Sequence, residues 1–210
     1  MKNSSINLFF LTIISLFGWS NLLHAENLCL EFHQAILDNN KDKVENMLQN
    51  PKIDPYCQDE NNNNYLHLMA QMPEFNFDIF CLLPKSTLLI MKNNDNDYPL
   101  NTAIKFNNTK FFKEILLEID NHNYNDKITE IINNQDLEGK TSLHWALLHN
   151  NKDIIISLLK NNADFKIKDK NGTTAQKLSS KLSLIPFKSK LMKKIVEDHI
   201  PQKILFKNLE

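Results

Sequence analysis

Three histidines are the first side chains of this sequence that could do chemistry. His33, His67 and His144 each stand one residue after an apolar or aromatic residue in similar sequence contexts. Imidazole is the commonest metal ligand and a frequent general base. No carboxylate or cysteine recurs at the same spacing, and equivalent positions of repeated segments would lie in successive layers of a fold. We therefore predict histidines that bond to helix caps and backbone groups, with no catalytic residue, no bound metal and no cofactor.

Three cysteines are the other residues with metal or redox chemistry. Cys29, Cys57 and Cys81 form an odd set without CxxC or CxxH spacing, so neither a zinc site nor a disulfide framework is indicated. Export would allow one pair to oxidise, and Cys29 and Cys57 fall near the ends of the first predicted helix pair. Whether they pair stays open at this level. Cys81 is interpreted as a buried reduced thiol, and we expect a monomer, with a dimer through the odd cysteine left open.

Composition and motifs exclude several classes of function. The 24 basic residues are all lysine against 25 acidic residues, which gives a formal net charge of -1. Without arginine the chain lacks the planar group that contacts phosphates and guanines bidentately, so nucleic acid is not a predicted partner. No P-loop, nucleophile elbow, HExxH or paired-carboxylate motif is present. The enzyme hypothesis is therefore reduced to an uncharacterised activity in residues 120–134.

A repeated segment must position these residues. Residues 139–146 read GKTSLHWA, and Gly172 to Ala175 reads GTTA, with the two glycines 33 residues apart. This pattern resembles an ankyrin repeat, whose period is about 33 residues. The resemblance implies a helix pair followed by an outward-pointing turn, stacked on its neighbours, and binding to another protein.

Alignment to this segment predicts about five repeats within a domain over residues 26–205. Their approximate bounds are 28–60, 61–94, 95–136, 137–169 and 170–200, and ten extra residues before the fourth repeat predict an added helix over 125–132. A helix over about 187–197 would close the stack with a polar face. The predicted fold is thus an all-α ankyrin-repeat solenoid of helix-turn-helix repeats with β-turn or hairpin connections and a capping C-terminal helix.

Asparagine replaces the scarce glycine at the turns. Asn62 and Asn96 occupy the repeat position of Gly139 and Gly172, where we expect positive φ. Asn-Asn pairs at 39–40, 107–108 and 150–151 occupy the predicted turn between the two helices of a repeat. The predicted N-caps of the first helices are Thr141, Thr174 and Asn64, with Tyr98 followed by Pro99 in the third repeat and Leu30 in the first.

Residues 1–25 have the pattern of a secretory signal peptide. Lys2 precedes an apolar run of about 10 residues, too short to span a bilayer, and a cleavage site after Ala25 is predicted. An uncleaved membrane anchor is the alternative, and no other membrane association is expected. The protein is predicted to be exported, either secreted or periplasmic. An ankyrin-like protein with an export signal resembles proteins of bacteria that live with or inside eukaryotic cells. This resemblance implies a host protein as partner, and a periplasmic protein of the bacterium is the alternative.

The resemblance also implies which positions contact a partner. They are turn tips and exposed residues of the inner helices, with Phe106 and Leu148 as apolar anchors. Trp145 is interpreted as partly buried against the neighbouring repeat, with an exposed anchor as the alternative. The candidate residues are Glu60, Asn61, Asn63, Met72, Asp95, Asp97, Phe106, Leu137, Glu138, Lys140, Leu148, His149, Lys170 and Asn171.

Overall fold

The computed structural model describes residues 27–181, and within them the fold is all-α, as predicted. The predicted signal peptide (1–25) and the predicted capping helix (187–197) lie outside the described residues. The helices are α1 (27–37), α2 (Lys41–Leu48), α3 (Tyr65–Gln71), α4 (Phe77–Leu82), a 3-10 helix (Thr87–Ile90), α5 (Pro99–Lys105), α6 (Thr109–Asn121), α7 (Asn125–Ile132), α8 (Ser142–Leu148), α9 (Lys152–Lys160) and α10 (Ala175–Lys181). The helix added between repeats three and four is confirmed as α7.

An N-terminal unit comprises the described residues 27–59 together with 76–84. Helix α2 packs against α4, and the buried side chains of the unit include Phe32 and Ile36 from α1, Val44 from α2, and Phe80 from α4. Burying such side chains stabilises the unit by about 1.5–3 kcal/mol each.

A larger unit comprises residues 60–75 and the described residues from 85 to 181. Its inner helices form a row in which α3 packs against α5, α5 against α8, and α8 against α10. Outer helix α6 packs against α9 and against the added helix α7. The buried faces of α5 and α6 include Leu100, Ile104, Phe111 and Ile115, so each helix pair covers the apolar surface of the next one, as repeat architectures require.

Asparagine pairs make the turn between the two helices of a repeat. The first residue of each pair has positive φ, between 52° and 56°. The second is the N-cap of the following helix, and its side chain accepts a hydrogen bond from the backbone nitrogen three residues on. The pairs are Asn39-Asn40, Asn107-Asn108 and Asn150-Asn151. The left-handed turn is confirmed; the capping role of the second asparagine was missing from the sequence prediction.

The glycine alignment is also confirmed. Asn62 and Asn96 have φ of 56° and 63°, and Gly139 and Gly172 have φ of 74° and 70°. Gly139 has a second constraint, because a Cβ there would lie 2.8 Å from the backbone nitrogen of Lys170. Asparagine therefore adopts the required positive φ at two of these turns. At position 139 glycine is favoured because the backbone of Lys170 leaves no room for a Cβ atom.

The N-cap predictions are mostly confirmed. Asn64 accepts from the backbone nitrogens of Leu66 and His67, and Pro99 is the first residue of α5 behind Tyr98. The prediction for Leu30 is wrong, because this residue lies inside α1 rather than before it.

Among residues 27–181, no helix has both the length and the apolar character to cross a membrane.

Candidate protein-binding face and histidine sites

His67 and His144 connect each inner helix to the turn of the next repeat. Nδ1 of His144 accepts a hydrogen bond from the backbone nitrogen of Thr141 at 3.1 Å, so Nε2 carries the proton and donates to the carbonyl of Thr173 at 3.1 Å. His67 makes the same two bonds, to Asn64 at 3.3 Å and to Asp97 at 2.9 Å. Burial lowers the pKa of His144, which keeps the ring neutral. The predicted framework role is confirmed for these two histidines.

An asparagine has the same role in the third repeat. Oδ1 of Asn101 accepts from the backbone nitrogen of Tyr98 at 3.1 Å, and Nδ2 donates to the carbonyl of Ile131 at 2.8 Å. One acceptor and one donor are what the position requires, and an amide supplies both. Asn101 stands at the third position of its helix, as His67 and His144 do, and this spacing is the signal that sequence analysis missed.

His33 has a different environment, beside two cysteines of the N-terminal unit. A disulfide joins Cys29 and Cys57, whose Cα atoms are 6.0 Å apart, and Nε2 of His33 lies 3.9 Å and 3.8 Å from the two sulfur atoms. Burial lowers the pKa of His33, partly opposed by the charge of Asp59 and a hydrogen bond to the backbone of Cys57. Cys29 and Cys57, whose pairing the sequence left open, thus form a disulfide beside His33. The prediction that Cys81 is buried is wrong, because its side chain is exposed.

The turns between repeats are fixed by a carboxylate or amide side chain. Oδ1 of Asp136 accepts from the backbone nitrogens of Glu138 and Lys140, both at 2.8 Å. Asn93 and Asp169 make the equivalent pairs of bonds in their own turns. Each of these residues stands three positions before the residue with positive φ, a spacing that is recognisable in the sequence.

Hydrogen bonds also join one turn to the next. The backbone nitrogen of Lys170 donates to the carbonyl of Glu138 at 3.0 Å, and Nε2 of Gln135 donates to the carbonyl of Lys168 at 2.9 Å. Nδ2 of Asn96 donates to the carbonyl of Gln135 at 2.7 Å. The turn tips of the larger unit are therefore held in a row, with their exposed side chains in a fixed arrangement.

Trp145 is the centre of an aromatic and charged cluster beside these turns. Its Nε1 donates to Oδ2 of Asp136 at 2.8 Å, and the ring stacks with that of His149 at 6.2 Å between centroids. The ammonium groups of Lys140 and Lys105 lie 5.0 Å and 5.9 Å from the ring centroid, within the range of cation–π attraction. The predicted partial burial of Trp145 is confirmed.

Lys105 connects this cluster to the turn before α5. Its ammonium lies 3.1 Å from a carboxylate oxygen of Asp95 and 3.2 Å from one of Asp97. Burial alone would lower the pKa of Lys105, but the two carboxylates outweigh it and the pKa is raised. Burial raises the pKa of Asp97 to about 6, although Lys105 opposes this shift.

Most of the candidate partner-binding residues lie on the surface, and three do not. Phe106, Leu137 and Leu148 expose 52%, 57% and 43% of their surface. Lys140 is half-buried. The other exposed candidates are Glu60, Asn61, Asp95, Glu138, His149, Lys170 and Asn171.

The three buried candidates are Asn63, Met72 and Asp97, and the prediction that they are exposed is wrong. Oδ1 of Asn63 accepts from Nδ2 of Asn93 at 2.9 Å, and Asp97 is covered by Lys105. Met72 is the C-cap of α3, and its carbonyl accepts from Nδ2 of Asn108 at 2.7 Å. These three residues are covered by other parts of the chain and are removed from the candidate surface.

Comparison with known protein families agrees with this architecture. Residues 82–169 match a family model described as ankyrin repeats (3 copies). No curated protein matches the chain. The matched segment and the helices of the described residues together support an all-α repeat fold of the ankyrin type. Ankyrin repeats indicate a protein–protein interaction module that is typically non-catalytic.

Proposed function

We propose that this ankyrin-repeat chain is an exported protein that binds another protein through the Trp145 face. The Trp145 face comprises Asp95, Lys105, Phe106, Lys140, Trp145, Leu148 and His149. All of these residues belong to the larger unit. They lie on helices α5 and α8, at the C-terminal ends of these helices, or in the turns that precede them.

The observation that carries the proposal is a pair of exposed apolar side chains at the ends of neighbouring inner helices. Phe106 is the C-cap of α5 and Leu148 is the last residue of α8, and these two helices pack against each other. Nε2 of His149 bonds to the carbonyl of Lys105 at 2.8 Å, which links the two ends. Exposed aromatic and aliphatic side chains surrounded by polar groups are typical anchors of protein interfaces.

The surroundings of these anchors favour a protein partner over a small molecule. Both acidic and basic side chains lie near Trp145, and several of them are paired within the chain. A partner that packs on Phe106 and Leu148 would find a polar rim of mixed charge, as in most non-obligate interfaces. The residues 120–134, left open for an enzymatic activity, include α7, whose Ile131 carbonyl accepts from Asn101 as part of the repeat framework.

Two observations support export as part of this proposal. Residues 1–25 have the three regions of a signal peptide, and the Cys29–Cys57 disulfide suits an oxidising compartment. A host protein is the favoured target if the source is a bacterium associated with eukaryotic cells, and a periplasmic protein is the competing target. A membrane-anchored structural role through an uncleaved N-terminus is the alternative.

The binding face is tested by affinity capture from host-cell and bacterial lysates with a Phe106→Ala/Leu148→Ala double variant. We expect the variant to reduce capture of the main partner at least about tenfold, because the central apolar anchors dominate interface energy. Leu117→Ala is the matched control, since Leu117 is 57% exposed but lies on outer helix α6. Equal capture by wild type and double variant, with unchanged circular dichroism, would show that the face is elsewhere.

The export proposal is tested separately. The N-terminal residue of the mature protein is expected to be Glu26 if the signal is cleaved and Met1 if it is retained. Fractionation of the tagged protein distinguishes release from retention in the periplasm. Recovery with Met1 in the soluble cytoplasmic fraction would contradict export.

A further inference from the structure

The cluster of Cys29, His33 and Cys57 carries an inference beyond protein binding. Each residue offers one ligand atom, and these atoms lie within 4.8 Å of one another. His33 is buried, whereas the two cysteines are half-buried. This is the one group of three such residues found close enough to hold a metal ion within the part of the chain that the structure describes.

We propose that reduction of the Cys29–Cys57 disulfide opens a Zn²⁺ site formed by the two thiolates and an imidazole nitrogen of His33. Two thiolates and one imidazole are the ligands that Zn²⁺ prefers, in tetrahedral geometry with water in the fourth position. The disulfide and the metal site use the same sulfur atoms, so the two states exclude each other.

The geometry of the histidine already fits this site. Zn–S and Zn–N bonds of about 2.3 Å and 2.0 Å in a tetrahedron place a sulfur and a nitrogen roughly 3.5 Å apart. In the structure, Nε2 of His33 lies 3.9 Å and 3.8 Å from the sulfurs of Cys29 and Cys57. Both nitrogen–sulfur distances must shorten by about 0.3–0.4 Å, and the two sulfur atoms, once they are no longer bonded, must lie about 3.8 Å apart.

A backbone contact lies beside one of the proposed ligands. The sulfur of Cys29 lies 3.8 Å from the carbonyl oxygen of Gln58. Gln58 follows Cys57 in the chain, so the loop that carries one ligand also contacts another.

The chemistry balances with a dithiol as reductant. The dithiol transfers two electrons and two protons to the disulfide, breaks the S–S bond, gives two thiols and becomes a disulfide itself. Binding of Zn²⁺ then releases the two thiol protons, because zinc binds the thiolates. Oxidation reverses the sequence and expels the metal, so metal binding would report the redox state of the surroundings.

The first test measures metal binding to the full chain. The protein is reduced with a phosphine under anaerobic conditions and titrated with Co²⁺, whose ligand-field absorption reports tetrahedral sulfur coordination, and the Co²⁺ is then displaced with Zn²⁺. We expect one equivalent to bind to the reduced protein and none to bind in this way to the oxidised protein. Reduced protein without a tetrahedral Co²⁺ spectrum would overturn the proposal.

The second test uses Cys81 as an internal control. Cys81 is exposed and free, and it lies in the same unit on α4. We expect Zn²⁺ to slow alkylation of Cys29 and Cys57 by iodoacetamide at least tenfold, with the rate at Cys81 unchanged. Equal rates with and without Zn²⁺ at all three cysteines would contradict the site even if the reduced unit were partly unfolded.

The ligand role of His33 is tested with His33→Gln. Removal of one of three ligands should weaken Zn²⁺ affinity at least about tenfold, while Cys81→Ser leaves it unchanged. The disulfide form of each variant serves as the folding control by circular dichroism. If His33→Gln bound Zn²⁺ as tightly as wild type, the three-residue site would be wrong.

Discussion

His33 and His144 come from aligned segments of the sequence but have different roles in the structure. His144 is bonded between the cap of its own helix and the carbonyl of Thr173 in the next turn. His33 lies beside the sulfurs of Cys29 and Cys57. At this repeat position the N-terminal unit has a disulfide, whereas the larger unit has hydrogen bonds between repeats. The same repeat position can therefore have different roles, and the residues around it decide which one it takes.

The largest expected effect comes from removing the covalent link. Cys29→Ala/Cys57→Ala should lower the free energy of unfolding of the N-terminal unit by about 3–4 kcal/mol, because the disulfide closes a loop with a sequence separation of 28. Hydrogen exchange of α1 and α2 amides measures this loss. Cys81→Ala is the control, and no change in exchange would show that the disulfide does not stabilise this unit.

His144→Ala tests the hydrogen-bonded side of the comparison. The change leaves the backbone nitrogen of Thr141 and the carbonyl of Thr173 without the imidazole, at a cost of about 2–3 kcal/mol in urea unfolding. His144→Asn should restore part of the loss, because Asn101 makes the equivalent bonds in the third repeat. Equal losses for the two variants would show that the amide and the imidazole are not interchangeable there.

The buried carboxylate of Asp97 makes the larger unit sensitive to pH. Its pKa is raised from 3.8 to about 6 by burial, so the folded state holds a proton that the unfolded chain releases. Stability from this group is therefore full below about pH 4 and is lost as the pH rises to about 6, by at most about 2–3 kcal/mol. Asp97→Asn should remove this loss.

The measurement is the free energy of unfolding of wild type and Asp97→Asn at pH 4 and pH 7. Comparison of the two proteins cancels the titration of His144, whose lowered pKa acts in the opposite direction. Lys105 keeps Asp95 as a partner in the variant. The same pH dependence in both proteins would contradict the raised pKa.

The smallest expected effect distinguishes two glycines with the same backbone conformation. Gly139→Ala should cost about 2 kcal/mol and Gly172→Ala about 1 kcal/mol in thermal unfolding, because both have positive φ but only Gly139 is approached by a neighbouring turn. The difference measures the contact between turns. Equal costs would mean that the backbone of Lys170 moves away freely.

Sequence analysis predicted the parts of the site that depend on local geometry. Positive φ at Asn62 and Asn96 followed from alignment with two glycines, and a framework role for His67 and His144 followed from their recurrence. It did not predict that Asn101 replaces a histidine, because an amide and an imidazole look unlike in sequence although both present one donor and one acceptor.

The sequence by itself determined the repeat register, the left-handed turns and the all-α fold, because these depend on apolar periodicity and on which residues tolerate positive φ. Only the tertiary structure decided the burial of Asp97, the contacts of Trp145 and the meeting of Cys29, His33 and Cys57. The Cys29–Cys57 disulfide and the approach of Lys105 to Trp145 join residues that are distant in the chain. Their environment is set by the packing of helices and turns, to which local sequence is only weakly related.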